Sequence, residues 1–361
     1  MRIGQRTIGE ECPPYIIAEL GVNHDGSPAR LLELVRLAAG TGVDAVKFQF
    51  FEAERLMSHA ARLAKYQEDA GERDPIEMLR RLETPIDALI AAAKFAHTLG
   101  LDAIVTVFSV ELFGAARRFP WDAYKTASPD LINRPLIQAA IDTARPLIVS
   151  TGAATMDEVE RAAAWLAPAA SRSMFLQCVS AYPTPPGVLG IEGFVALRER
   201  FPARPAGYSD HSPDAETGAR LVRLGACVLE KHMTDNNRAP GPDHAASLEP
   251  AAMRRYVTLA HAAWEHVSAY GVDEWDAERS KRVLDCERDV RTASRQSIVA
   301  ARPIPRGTKI TRDMLAIKRP GTGLEPWMID GVLNRAALRD LAPDQPITEA
   351  DLAPAALKAS A

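Results

Sequence analysis

Two hydrophobic rhythms take turns along the chain. Short apolar runs bounded by polar residues read as buried strands, and each is followed by a stretch with apolar residues three and four apart, the pattern of a helix packed by one face. YIIAE (15–19) is the first such strand. After LGVNHDG, Ser27 and Pro28 stand where an N-cap and a first helical residue belong, and Leu31, Leu34, Val35 and Ala38 share one face of the helix they open. DAVKFQF (44–50) is the second strand. Residues 51–85 break the rhythm: they are charged and mixed, and predict a long loop with short helices. The helix IDALIAAAKFAHTLG stops at Gly100. The remaining strands are DAIVTVFS (102–109), DAYKTAS (122–128), PLIVSTG (146–152), MFLQCVSAYP (174–183), ARPAGYSD (203–210) and CVLEKH (227–232), each with a helical stretch behind it. Thr155 and Glu158 have capping-box spacing, and Gly225 is a helix stop.

Eight strand–helix units within residues 1–272 predict an α/β fold, a (β/α)8 TIM barrel. An open doubly wound sheet is the alternative, but no GxGxxG follows the first strand. Residues 273–294 are highly charged and read as a linker. Residues 295–361 carry short alternating strands, Gly and Pro turns and one short helix around 327–332. They predict a small, mainly β domain, marginal alone, that leans on the barrel or on a second subunit's barrel.

Composition excludes more than it selects. A formal charge of −4 leaves no basic footprint for nucleic acid. No apolar run is long enough for a bilayer, and the N-terminus has no signal-peptide core, so no membrane partner is expected. Cys12, Cys178, Cys227 and Cys286 are scattered without a CxxC, which suits reduced thiols in a cytoplasmic protein.

The chemistry of a barrel sits at the C-terminal ends of its strands. Here those ends are polar nearly all round: Glu19; Lys47 and Gln49; Thr106 and Ser109; Lys125 and Ser128; Ser150 and Thr151; Ser180 and Tyr182; Ser209, Asp210 and His211; Glu230 and His232. Taken singly, each has a bland role as a rim lysine or a helix-capping serine. Their convergence argues for an enzyme on a phosphorylated or acidic substrate, because two lysines and a ring of hydroxyls offer fixed positive charge and many donors. His211 and His232 close neighbouring parallel strands in GYSDHSPDAETGARLVRLGACVLEKHMT. They are either half of a metal site or two unrelated surface histidines. His24 is placed to meet substrate, and Asp243, in the loop after the eighth strand, to reach back towards a metal or sugar.

AELGVNHDG, VKFQ, YKTAS, STGA, YPTPP, GYSDHS, LEKHMT and GPDHAASLEP, in that order, resemble the sialic acid synthases, the nonulosonic acid synthase family. IPRGTKITRDMLAIKRPGTG resembles their antifreeze-like, or SAF, domain. The resemblance implies a cytoplasmic transferase of carbohydrate biosynthesis, joining phosphoenolpyruvate to an N-acylated aldose to give a nine-carbon 2-keto-3-deoxy sugar acid and phosphate. It implies His211 and His232 as ligands of a divalent metal, manganese first and magnesium or cobalt as alternatives, and Glu19 as the acid/base residue. It places Lys47, Thr106, Lys125, Ser128, Ser150, Ser180 and Ser209 on phosphoenolpyruvate, and Gln49, Tyr182 and Asp243 on the acceptor sugar. Arg319 would come from the SAF domain over a partner's barrel, in a domain-swapped homodimer. The chain departs from the commoner pattern at Pro129-Asp130, Gln177 and Ser180. The acceptor is therefore open between N-acetylmannosamine and a 2,4-diacetamido-2,4,6-trideoxyhexose. Two other readings stand: another phosphoenolpyruvate-dependent 3-deoxy-ulosonate synthase, and a non-catalytic carbohydrate-binding protein.

Overall fold

A computed structural model describes residues 1–354. The eight expected strands are present: β1 (Tyr15–Glu19), β2 (Ala45–Phe50), β3 (Asp102–Val107), β4 (Ala123–Thr126), β5 (Leu147–Ser150), β6 (Ser173–Cys178), β7 (Ala206–Asp210) and β8 (Val228–His232). Neighbours pair in parallel, and β8 closes back on β1 with His232 opposite Glu19. A small hairpin, Arg2–Ile3 with Arg6–Thr7, precedes the barrel.

Side chains of a strand alternate between its two faces, and this period of two sorts core from site. Ile17, Ala45, Ile104, Ala123, Ile148, Leu176 and Val228 pack together inside the barrel. Two residues further along the same strands stand Glu19, Lys47, Thr106, Lys125, Ser150, Cys178 and Glu230, all lining one cavity. Gly207 holds the seventh interior place because a Cβ there would meet Leu176 and Val228; Ser209 follows it into the cavity. The other strand face, with Ile16, Val46, Phe48, Val105 and Leu229, joins the helices in the main core. Burying this apolar surface is the main stabilising term.

The local signals act as read. Ser27 accepts from the Arg30 amide, and Pro28 starts the helix Pro28–Ala39. Thr155 and Glu158 make both bonds of the capping box of Met156–Trp165. Gly225 has a φ of 97°, a left-handed stop that glycine adopts without strain.

The 51–85 excursion contains three short helices, Ala53–Leu56, Lys65–Asp69 and Pro75–Leu82. Leu56, Met78, Leu79 and Leu82 pack with Val22, Phe51 and Phe108 into a separate apolar cluster at the mouth of the barrel. The 273–294 stretch is irregular until Asp285, then helical over Arg288–Ser294. Beyond it, β9 (Ser297–Ala300) and β10 (Leu315–Lys318) pair antiparallel, with the short helix Ile329–Val332, around a core that includes Ile298, Ile304, Ile310, Val332 and Ile347. Residues 355–361 of the expected C-terminal domain lie outside the described residues.

This domain docks on the barrel of its own chain. The Arg319 amide donates to Leu56 O (2.9 Å), and Ser58 N donates to Arg319 O (3.0 Å), so the excursion and the segment after β10 pair as strands do. Asn133 bonds Gln296 at 2.9 Å, and the Arg161 guanidinium lies 4.7 Å from the Trp327 ring centre. Arg319 enters the cavity of its own chain, held there by the backbone edge that the excursion offers it.

Candidate functional site

The cavity, of about 150 Å³, opens at the C-terminal ends of the strands. Every residue to which the resemblance gives a role lines it, namely Glu19, Lys47, Gln49, Thr106, Lys125, Ser128, Ser150, Ser180, Tyr182, Ser209, His211, His232, Asp243 and Arg319, whereas the strand-end residues Ser109, Thr151 and Asp210 do not. His24 does not. It is buried behind the mouth, where its Nδ1 accepts from the Gly26 amide at 3.1 Å.

The floor is an ionic lattice. Glu19 is fully buried; its Oε1 accepts from Gly21 N at 2.6 Å and its Oε2 pairs with the Lys47 ammonium. Lys47 Nζ also donates to Thr106 Oγ1 (3.2 Å) and lies 3.7 Å from Glu230 Oε1. Lys125 Nζ is 3.3 Å and Ser209 Oγ 2.8 Å from the same Glu230 oxygen. Burial opposes ionisation of Glu230, yet Lys125, Lys47 and the Ser209 hydroxyl bring its carboxyl down to about 2. Burial also brings Lys47 down to about 7, with Glu230 opposing and Lys125 assisting the fall.

One flank is a cradle of hydroxyls. Ser128 Oγ lies 3.1 Å from Cys178 Sγ and accepts from Gly152 N at 3.0 Å. A Cβ on Gly152 would collide with Ser180 Oγ, Cys178 Sγ and Ser128 Oγ. Ser150 Oγ is buried without a protein partner, which leaves its hydrogen-bonding capacity to a ligand.

The opposite flank carries the two histidines, ring centres 5.5 Å apart. His211 Nδ1 faces Val179 O at 2.7 Å, so it carries the proton and Nε2 keeps its lone pair. His232 Nδ1 has no hydrogen-bond partner and stands 3.7 Å from Asp243 Oδ2. Burial lowers His211 to about 4 and, with His211 beside it, lowers His232 well below the usual imidazole value. Neutral imidazole is the ligand form, so this donor set fits a divalent cation. Among the described residues no group of three or more His, Cys, Asp or Glu converges, so the other ligands of such an ion would come from water or substrate.

Above the histidines, the Tyr182 ring lies 4.2 Å from His211 and 5.0 Å from Tyr66 of the excursion. Arg319 lies over Phe108, 6.0 Å from the ring centre, and its Nε lacks a partner. Burial raises Asp130 to about 7, with Arg319 and Arg295 opposing, and both its carboxylate oxygens are unpartnered. Sequence reasoning missed Tyr66, whose only signal is an aromatic in a charged stretch. It also left Asp130 without a role and left Glu287 in the linker.

The comparisons agree with this geometry. The NeuB family model matches residues 34–270 and the SAF domain model residues 295–353. The chain is 32% identical over 337 residues to the N,N'-diacetyllegionaminic acid synthase of Legionella pneumophila, covering 91% of this chain and 92% of that one. It is 30% identical to the human N-acetylneuraminate-9-phosphate synthase, over 95% of this chain and 94% of the other. The crystal structure of spore coat polysaccharide biosynthesis protein SpsE from Bacillus subtilis superposes with a TM-score of 0.85 at 26% identity, covering 99% of both chains. Among the described residues no helix is long and apolar enough to cross a membrane. With its matched barrel and C-terminal domain, the chain is a member of the NeuB family that carries a SAF domain.

Proposed function

We propose that the protein condenses phosphoenolpyruvate with an N-acylated aldose, giving a nine-carbon 2-keto-3-deoxy sugar acid and inorganic phosphate. One observation carries this: a single cavity has buried lysines and the unpartnered Ser150 hydroxyl on one side and two histidines with available ring nitrogens on the other. In the reaction, C3 of the enol forms a bond with the aldehyde carbon, water adds its oxygen at C2, and phosphate leaves with its bridging oxygen. Lys47, Lys125 and the cradle of Ser128, Ser150 and Ser180 bind and orient the anionic reactant. Glu19 handles the protons of the water and the aldehyde oxygen, and its contact with Lys47 holds it in place. A divalent ion, manganese by first expectation, would be held by His211 and His232 and would supply Lewis-acid polarisation of the aldehyde. Holding both reactants in one cavity removes the entropy of bringing them together.

Gln49, Tyr182, Asp243 and Arg319 surround the space left for the acceptor. Val22, Leu56, Met78 and Phe108 give that side an apolar wall suited to acyl methyl groups. The cationic lining residues are Lys47 and Lys125 on the floor and Arg319 on the roof, with no further basic cluster among the described residues. This favours an unphosphorylated acceptor over the phosphorylated sugars of other ulosonate synthases. The legionaminic acid synthases among the relatives support a diacetamido sugar, and a soluble cytoplasmic enzyme suits this chemistry. Mass spectrometry of reactions with phosphoenolpyruvate and manganese, offering N-acetylmannosamine and 2,4-diacetamido-2,4,6-trideoxyhexoses in turn, tests the proposal. The expected product has the mass of both reactants plus water minus phosphoric acid. Its absence with every acceptor would overturn the reading.

A further inference from the structure

The charged stretch between the two matched domains does more than connect them. Glu287 is 1% exposed although it belongs to the linker. Its Oε1 accepts from Ala153 N at 2.7 Å and from Ser180 N at 2.8 Å, and its Oε2 accepts from Leu284 N at 2.9 Å. Ala153 lies in the loop after β5, and Ser180 in the loop after β6. One carboxylate oxygen therefore ties together two loops of the barrel that are otherwise far apart in sequence. Ser150, the last residue of β5, leads into the first of these loops and Ser180 stands on the second, and both line the hydroxyl flank. The same loop is held from its other side: Arg295 donates to Ala153 O at 3.0 Å and to Glu158 Oε2 at 3.1 Å, while Arg291 forks onto both Glu158 oxygens at 2.8 and 2.9 Å. Ala153 is kept at a φ of 49°, a region a residue with a Cβ occupies only when its surroundings hold it there. Both amides are buried, so without Glu287 each would be an unmet donor behind the cradle.

We infer that Glu287 is a positioning residue for the anion-binding flank: from the linker it sets the spacing of the Ser150 and Ser180 loops, and so couples docking of the C-terminal region to anion affinity. This rests on the reading of that flank as the seat of phosphoenolpyruvate. Glu287 does not line the cavity, and it falls between the two regions that the family models match, 34–270 and 295–353. Its geometry separates reach from charge. Gln keeps an oxygen at the same distance for both amides, losing only the Leu284 bond. Asp keeps the charge but is one methylene too short to meet both.

The test uses the full chain with manganese, titration calorimetry with phosphoenolpyruvate as the probe, and steady-state kinetics for both reactants. Glu287→Ala and Glu287→Asp are expected to raise Kd and KM for phosphoenolpyruvate about tenfold or more, the size of effect seen when a supporting partner of a site is removed. The acceptor KM stays near that of the parent chain, the melting temperature of Glu287→Ala falls by several degrees as its two amides lose their acceptor, and Glu287→Gln restores phosphoenolpyruvate affinity to within about threefold. Unchanged phosphoenolpyruvate affinity in Glu287→Ala would overturn the inference. So would a rise of both KM values by the same factor, or failure of the Ala and Asp variants to fold, since Glu287 would then serve stability alone. If the parent chain itself binds no phosphoenolpyruvate, the reading of the flank is what has failed, and the parent titration shows that before any variant is made.

Discussion

Lys125 Nζ lies 3.3 Å from Glu230 Oε1, with both side chains almost wholly removed from water. Lys47 reaches towards the same oxygen and pairs with Glu19, so two cations and two carboxylates balance on the cavity floor. A buried ion pair of this kind is costly to build and far more costly to break by halves. The pairing fixes two ammonium groups in place on the cavity floor.

Replacing Glu230 by Gln leaves the two lysines with Glu19 alone. Stability at pH 7 should fall by roughly 3–5 kcal/mol, read from denaturant unfolding. The loss should depend on pH. The Glu230 carboxyl is held at about 2, below its ordinary 4.5, so its contribution is complete above the ordinary value and disappears as pH falls through that window. The gap between parent and variant should therefore close between pH 4.5 and 2. A gap that stays constant on acidification would contradict the pairing.

Manganese should raise the melting temperature of the parent chain, by an amount that grows with ion concentration as binding linkage requires. A hundredfold excess over Kd corresponds to about 2.7 kcal/mol. His211→Asn and His232→Asn should melt at the same temperature with and without the ion. An undiminished shift in both variants would place the cation elsewhere.

Arg319→Lys keeps a charge at the roof but removes the planar fork. Its acceptor KM should rise about tenfold while KM for phosphoenolpyruvate stays within a factor of about two, the split expected of a contact to one reactant only. A rise in KM for phosphoenolpyruvate instead would move Arg319 to the other flank.

Much of this site was legible before any coordinates. The residue two places beyond each interior apolar position is polar in β1 through β5, β7 and β8, and strand periodicity then points them to one end of one barrel. His211 and His232 met because adjacent parallel strands end together. What failed was whatever depends on packing between distant segments. His24 sits in a well-placed motif, but its ring turns back to the Gly26 amide. Tyr66 lines the cavity only because the 51–85 excursion, pinned to the C-terminal domain through Leu56 and Ser58, carries it there. Glu287 looks like one more charge in a charged linker until the Ala153 and Ser180 amides are found pointing at it.

The most direct measurement is phosphate release from phosphoenolpyruvate in the parent chain and in Glu19→Gln, with acceptor and manganese each supplied or withheld. Release should require both additions. It should fall by a factor of roughly 10² to 10⁴ in Glu19→Gln, the usual contribution of acid–base catalysis, with phosphoenolpyruvate binding retained. Release that needs no acceptor, or that survives the loss of the Glu19 carboxylate at full rate, would contradict the account.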